Sequence, residues 1–253
     1  FLAPLFRGIQ LDPDLEVSSR RFEVILRMLA TGGTAVPATG MGTLSTRLAA
    51  PLPDDAVRLG APVTALDGTT AIIDGNERVA ADAIVVATHG PVAARLLDLP
   101  DPGSRPVAAI WFDTTNAPLD DRRILLDGVT SGPVANLAAM SSVAPEYAPP
   151  GRSLAVAAIP GPAALDVDIE TVARDQLRGW GLGVEDWATL RVDVIEHGQP
   201  AQTPPFDPRR SVRVGNGRYV CGDHRDTASI QGALFSGRRA ADAVLADLRG
   251  RPN

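Results

Sequence analysis

Arg218-Tyr219-Val220-Cys221-Gly222-Asp223-His224-Arg225-Asp226-Thr227-Ala228-Ser229-Ile230-Gln231-Gly232-Ala233-Leu234-Phe235-Ser236-Gly237-Arg238-Arg239-Ala240-Ala241 is the stretch whose reading decides the fold. It reads as a short apolar strand, an acidic turn and a helix that opens on small residues. Ile230, Leu234, Ala241, Val244, Leu245 and Leu248 share one helical face, which is expected to be the core face; Arg238, Arg239, Asp242 and Asp247 share the other. A helix N-terminus thus follows a strand end. In an α/β layer this is a docking place for an anion such as a phosphate, because free N–H groups and the positive end of the helix dipole converge there.

The rest of the chain bounds the classes available. Its 253 residues, 45% hydrophobic, allow one large domain or two modest ones. The formal charge is −6, and all 24 cationic residues are Arg, scattered along the chain, so nothing asks for nucleic acid. No apolar run approaches the roughly 18 residues that cross a bilayer, and no basic-then-apolar leader opens the chain. A soluble, cytoplasmic protein is expected. The single cysteine, Cys221, excludes an internal disulfide framework and a cysteine-based metal cage.

Leu15 to Leu29 carries Leu15, Phe22, Ile25, Leu26 and Leu29 at helical spacing and stops at Gly32-Gly33. Pro37-Ala38-Thr39-Gly40-Met41-Gly42 then opens a helix through Leu48. Its Gly-x-Gly is a poor dinucleotide fingerprint, since the preceding segment is too short for a buried strand and no acid follows about 20 residues on. Ala56–Gly60 and Pro62–Leu66 read as short strands, and Ala71–Ile73 with Val79–Ala81 as a hairpin around Asp74-Gly75-Asn76. Ala83–Thr88 is a continuous apolar run of the kind buried on both faces of a parallel sheet, and a short helix spans Val92–Leu97.

From Val107 onward, Val107–Phe112, Ile124–Leu126, Val134–Ala138 and Leu154–Ile159 are strands of an antiparallel sheet, separated by Pro, Gly, Asp and Ser clusters. A helix is expected over Ile169–Trp180 and a strand over Leu190–Ile195. His197–Pro205 is a proline-rich crossing back to the final strand and reads as a domain boundary.

Residues 218–241 resemble the C-terminal flavin motif of the FAD-dependent amine oxidase and phytoene desaturase superfamily, an apolar strand into Gly-Asp and then Gly-Ala-x-x-Ser-Gly-x-x-Ala-Ala. Pro-x-x-Gly-Met-Gly before a helix and the Val-Val-Ala-Thr strand are familiar internal segments of the same flavoproteins. The resemblance implies an α/β (α+β) protein. Residues 35–105 and 206–250 would form the C-terminal part of a Rossmann-like FAD-binding domain. Residues 1–34 and 106–205 would form a substrate domain built on an antiparallel sheet with helices. It implies FAD as cofactor, with Val63 near the adenine, Thr88 at a strand end beside the cofactor, Gly222 against the pyrophosphate and Asp223 on a ribose or ribitol hydroxyl. Ser229, Ile230 and Ala233 would open the helix toward the flavin ring, with the Ile230 N–H facing the isoalloxazine carbonyl.

Each of these residues also has an ordinary structural role. Asp223 serves as a turn or cap residue, Gly222 as a turn glycine and Ile230 as a core anchor. His89, His197 and His224 lack metal-ligand spacing; His89 and His224 follow strand ends on the presumed ligand edge, and no residue is assigned a catalytic role. No Gly-x-Ser-x-Gly elbow occurs.

Two departures narrow the chemistry that the resemblance implies. The chain has no lysine to hold a water near the flavin, and Ser229 stands where cage-type amine oxidases often place an aromatic. Both lean toward the desaturase-like branch: hydride removal from a C–H or C–N bond of an apolar organic substrate, of a kind that tends to be large in that branch. The chain begins at Phe1 and lacks the family's Gly-x-Gly-x-x-Gly segment. The expectation is therefore a piece whose N-terminal nucleotide-binding part is missing or is a separate polypeptide, which alone binds FAD weakly and tends to self-associate. The alternative is a non-catalytic remnant or subunit that needs that separate piece to bind FAD, and a pure interaction module ranks last.

Overall fold

The chain divides into two units in the computed structural model, which describes residues 1–119, 121–129 and 131–250. One comprises Phe1–Asp54 and Arg105–Gly198, the other Asp55–Ser104 and Gln199–Asn253. In chain order the elements are α1 (Leu2–Gln10), α2 (Ser19–Thr31), α3 (Gly42–Ala49), β1 (Val63–Asp67), β2 (Thr70–Ile73), β3 (Glu77–Ala80), β4 (Ile84–Val86), α4 (Gly90–Leu97), β5 (Ser104–Thr114), β6 (Ile124–Leu126), β7 (Asn136–Ala139), α5 (Met140–Val143), β8 (Ser153–Pro160), α6 (Ile169–Gly179), β9 (Ala188–Pro200), β10 (Arg213–Gly215), β11 (Arg218–Val220) and α7 (Ile230–Arg249). The α/β architecture expected from the sequence is present.

The first unit is built on a five-stranded sheet in the order β6-β7-β8-β5-β9, antiparallel at the β6/β7, β7/β8 and β8/β5 pairs. Strand alternation supplies its core. Ala108, Ile110 and Phe112 of β5 point to the buried face and stand opposite Ile159, Ala157 and Ala155 of β8, so a large residue meets a small one where the strands pair Ile110 and Phe112 with alanines. Ile169, Ala173 and Leu177 of α6 pack on that face at helical spacing. Arg174 lies 5.0 Å over the Phe112 ring and donates to the carbonyls of Val184 and Trp187, which ties the turn after α6 to the sheet.

α1 was not anticipated, because Phe1–Phe6 offers no capping signal; its Phe6 is buried and its ring packs against Phe22 of α2, tilted by 51° with centroids 4.5 Å apart. The helix expected from Leu15 begins only at Ser19, and Leu15 has a left-handed φ of 58°. Residues 35–54, grouped above with the nucleotide-binding part, cluster with the first unit. Tyr147 Oη, for example, donates to the Pro37 carbonyl at 2.8 Å.

The second unit holds two three-stranded sheets. β1-β2-β3 is an antiparallel meander, and Asp74 and Gly75, both with positive φ, close the expected hairpin in the sense that matches strand twist. Ala56–Gly60 forms no strand. In the other sheet, ordered β10-β11-β4, β11 runs parallel to β4 with Val220 beside Val86. Val86 and Val220 are buried, but Val85 is 41% exposed, so β4 is not covered on both faces as its sequence suggests.

α7 corrects the expected core face. The buried residues are Gly232, Ser236, Ala240 and Ala243, while Ile230, Leu234 and Leu245 are about half exposed. Small residues win the inner face because the helix lies close to its own preceding loop: a Cβ on Gly232 would sit 1.9 Å from the Thr227 carbonyl oxygen. Ala240 and Ala243 then pack with Tyr219, Cys221 and Val212.

Candidate functional site

Parallel pairing places the C-terminal ends of β4 and β11 side by side, and Cys221 N–H donates to Val86 C=O at 3.0 Å. Thr88 and Gly222 follow these ends and are neighbours: a Cβ on Gly222 would come within 3.2 Å of the Thr88 carbonyl and 2.6 Å of the His224 ring. With φ at 144°, Gly222 also adopts a backbone that other residues rarely reach. Its peptide is gripped by α7. Ser236 Oγ accepts from Gly222 N–H at 2.9 Å and lies 2.8 Å from its carbonyl, to which it donates.

Asp223 opens a 3-10 turn over Asp223–Arg225, half-buried, with its carbonyl accepting from Asp226 N–H. The loop onward is held from outside. Gln202 donates to Asp226 C=O and accepts from Ala228 N–H, and Arg239 pairs with Asp226 at 3.0 Å while reaching Arg225 C=O at 2.8 Å. Ser229 is the N-cap of α7; its Oγ accepts from Gly232 N–H at 3.0 Å, and its carbonyl accepts from Ala233 N–H. Ser229 thus caps α7, whereas Asp223 sits in the turn before it. The N–H groups of Ile230 and Gln231 have no partner among the described residues, and the first turn of α7 carries no acidic side chain to compete for them.

Thr88, Gly222, Asp223, Ser229, Ile230 and Ala233 therefore line one edge of the second unit. Val63 lies apart on the meander, as the first residue of β1, exposed and opposite Ile73 beside a bulge. His89 is the exposed N-cap of α4. His224 is buried beneath Gly222, and burial, then Arg225, Arg210 and His89, push its imidazole down to about 4, so it is neutral at pH 7. Burial raises the Cys221 thiol, which suits a packed residue and not a nucleophile.

Ser236, Gly232, Gln202 and Arg239 shape this edge without having been singled out from the sequence. Ser236 and Gly232 lay inside the quoted motif and could have been found by asking why it keeps small residues at that spacing. Gln202, inside a proline-rich crossing, gave no signal. Among the described residues no group of His, Cys, Asp and Glu could hold a metal ion, and no helix is long and apolar enough to cross a membrane.

A parallel strand pair whose ends meet a bare glycine and an open helix N-terminus is an α/β arrangement whose backbone N–H groups are free to meet an electron-rich group. The sequence profile of the flavin containing amine oxidoreductases matches residues 1–245. The chain belongs to that family.

Among solved structures, reduced UDP-galactopyranose mutase matches with a TM-score of 0.72 at 14% identity, over 97% of this chain and 64% of its own. An oxidoreductase from Methanosarcina mazei gives 0.64 at 17% identity, over 95% of this chain and 64% of its own. Putrescine oxidase bound to putrescine gives 0.54 at 17% identity, over 82% and 53%. These likenesses show the fold. The chain spans less than two thirds of the length of each. No curated protein sequence matches it.

Proposed function

We propose that the protein is an FAD-dependent oxidoreductase, and that the edge formed by Thr88, Gly222 and the start of α7 is its contribution to the flavin cradle. The observation that carries this reading is the open pair of N–H groups at Ile230 and Gln231, set beside the side-chain-free backbone of Gly222. The residues present fit the group at this edge. Gly222 lets a phosphate or sugar approach the backbone, Asp223 accepts from a ribitol or ribose hydroxyl, and the first turn of α7 donates to a ring carbonyl. FAD, when bound, supplies hydride abstraction from a substrate C–H or C–N bond. The chain's own part is to hold and orient. Ser236 fixes the Gly222 peptide, Ser229 spends its hydroxyl on capping, and Arg239 and Gln202 keep the 223–229 loop in place.

Family membership supports this reading, and Ser229 at the helix start favours an apolar organic substrate of the desaturase-like type over a caged amine. Among the described residues no strand leads through a glycine-rich turn into a helix in the way that holds a dinucleotide pyrophosphate; Gly40-Met41-Gly42 runs into the start of α3 in the other unit, with no strand before it. We take that part of the cradle to come from polypeptide outside these residues. Intact mass of the natively purified protein, with a search for a co-purifying polypeptide and for released flavin, tests the reading. Flavin in the preparation supports it, and its absence after reconstitution with FAD contradicts it.

A further inference from the structure

We propose that the cavity at the N-terminus of α4 binds one small anion of halide size, clamped by Arg210 and Arg225 against the helix amides and His224. The cavity measures about 20 Å³ and lies within the second unit, beside but separate from the residues assigned to the flavin edge. That volume is enough to hold at least one small particle.

Its lining is one-signed. Arg210, Arg225 and His224 border it together with Gly90, the first residue of α4, and no carboxylate lines it. α4 has no side-chain cap and no acidic residue in its first turn, and Pro91 removes one donor, so the N–H groups of Gly90 and Val92 are the ones available. His224 is 95% buried by its 5% exposure, and its Nδ1 has no hydrogen-bond partner. Nε of Arg225 is likewise buried and unpartnered, and neither Arg225 nor Arg210 forms an ion pair among the described residues. Nearby Arg239, by contrast, is neutralised by Asp226.

Two partly buried guanidinium groups lining one cavity, beside a buried imidazole and a helix N-terminus, are costly without a counter-charge. The environment carries that imprint. Burial and the neighbouring cations lower both the Arg225 and His224 values, and no carboxylate opposes them. An anion in the cavity would supply the missing counter-charge to Arg210 and Arg225 and an acceptor for the Gly90 N–H.

Two measurements on the full-length protein test this. Thermal unfolding is compared in sodium chloride and in sodium gluconate at equal ionic strength, the second anion being too large to enter. Chloride is expected to raise Tm saturably, by about 2–4 °C at several times its Kd, and Arg225→Gln is expected to abolish the difference. Crystals soaked in bromide are expected to show an anomalous peak between Arg210, Arg225 and Gly90, which decides the matter even if the variant fails to fold. Equal Tm in the two salts, a chloride effect that survives in Arg225→Gln, or bromide peaks only elsewhere would overturn the proposal. Stabilisation by sodium phosphate without any by chloride would overturn it as well.

Discussion

Ser236 Oγ meets both backbone polar groups of Gly222, at 2.9 Å from its nitrogen and 2.8 Å from its oxygen, across the turn that joins β11 to α7. Ser236 is fully buried, so no water replaces it. Ser236→Ala is expected to destabilise the protein by about 1–3 kcal/mol, since the Gly222 groups lose their partner. Urea unfolding reads this as a lower midpoint at unchanged slope. An unchanged midpoint would mean that the bracket does not hold the turn.

Two glycines of α7 should respond in opposite directions to the same substitution. Gly237→Ala adds a methyl into open space and is expected to stabilise the helix by about 0.5–1 kcal/mol. Gly232→Ala forces a methyl to 1.9 Å from the Thr227 carbonyl, so the helix start must move, at a cost of about 2 kcal/mol or more. Parallel thermal melts of the two variants check the contrast, and similar Tm changes would contradict the close approach.

His224 makes stability depend on pH in a defined window. Its folded value is about 4 against an ordinary 6.5. The unfolded chain therefore binds the extra proton as pH falls from about 6.5, and the folded chain does so only near 4. The stability from keeping this imidazole neutral is present above 6.5 and is lost between 6.5 and 4, to a total of about 3 kcal/mol. In gluconate buffers, His224→Gln should remove that part of the slope while the carboxylates, which titrate lower, still contribute. Parallel pH profiles for wild type and variant would show that the imidazole is not desolvated.

In the first unit, the buried amide of Gln176 donates to Val134 C=O and Asp127 Oδ2 and accepts from Val134 N–H at 2.7 Å. Gln176→Leu matches the volume but leaves the N–H and C=O of Val134 without their partner and removes one of the bonds to Asp127, which keeps Ser131. It is expected to cost about 2–4 kcal/mol in chemical denaturation, whereas the exposed Val167→Ala should cost nearly nothing.

The reading from residues alone reached furthest where local pattern and tertiary environment agree. The Asp74-Gly75 turn, the β5 and β8 strands and the strand-turn-helix at 218–249 all follow from spacing and turn chemistry. It failed where close backbone approach decides burial. Ile230 and Leu234 form an apolar stripe that periodicity assigns to the core, yet Gly232, Ser236 and Ala240 take the inner face: Gly232 admits the Thr227 carbonyl, Ser236 holds Gly222, and Ala240 packs with Tyr219 and Cys221. Buried polar bridges were equally illegible, since Gln176 and Gln202 acquire their roles from partners 42 and 26 residues or so away along the chain. Of the candidate site, Thr88, Gly222, Asp223 and the first turn of α7 fall on one edge, whereas the pairing of two unbalanced arginines with a buried His224 emerged only in three dimensions.

The central claim is that Gly222, Asp223 and the open turn at Ile230 form part of a flavin cradle. The most direct measurement is the visible absorbance of flavin retained by the full-length protein after reconstitution with FAD and gel filtration, beside Asp223→Ala and Gly222→Val. The account predicts a flavin spectrum in the wild type, weakened retention in Asp223→Ala and loss in Gly222→Val. A folded wild-type protein that retains no flavin, or a Gly222→Val variant that retains it undiminished, would contradict it.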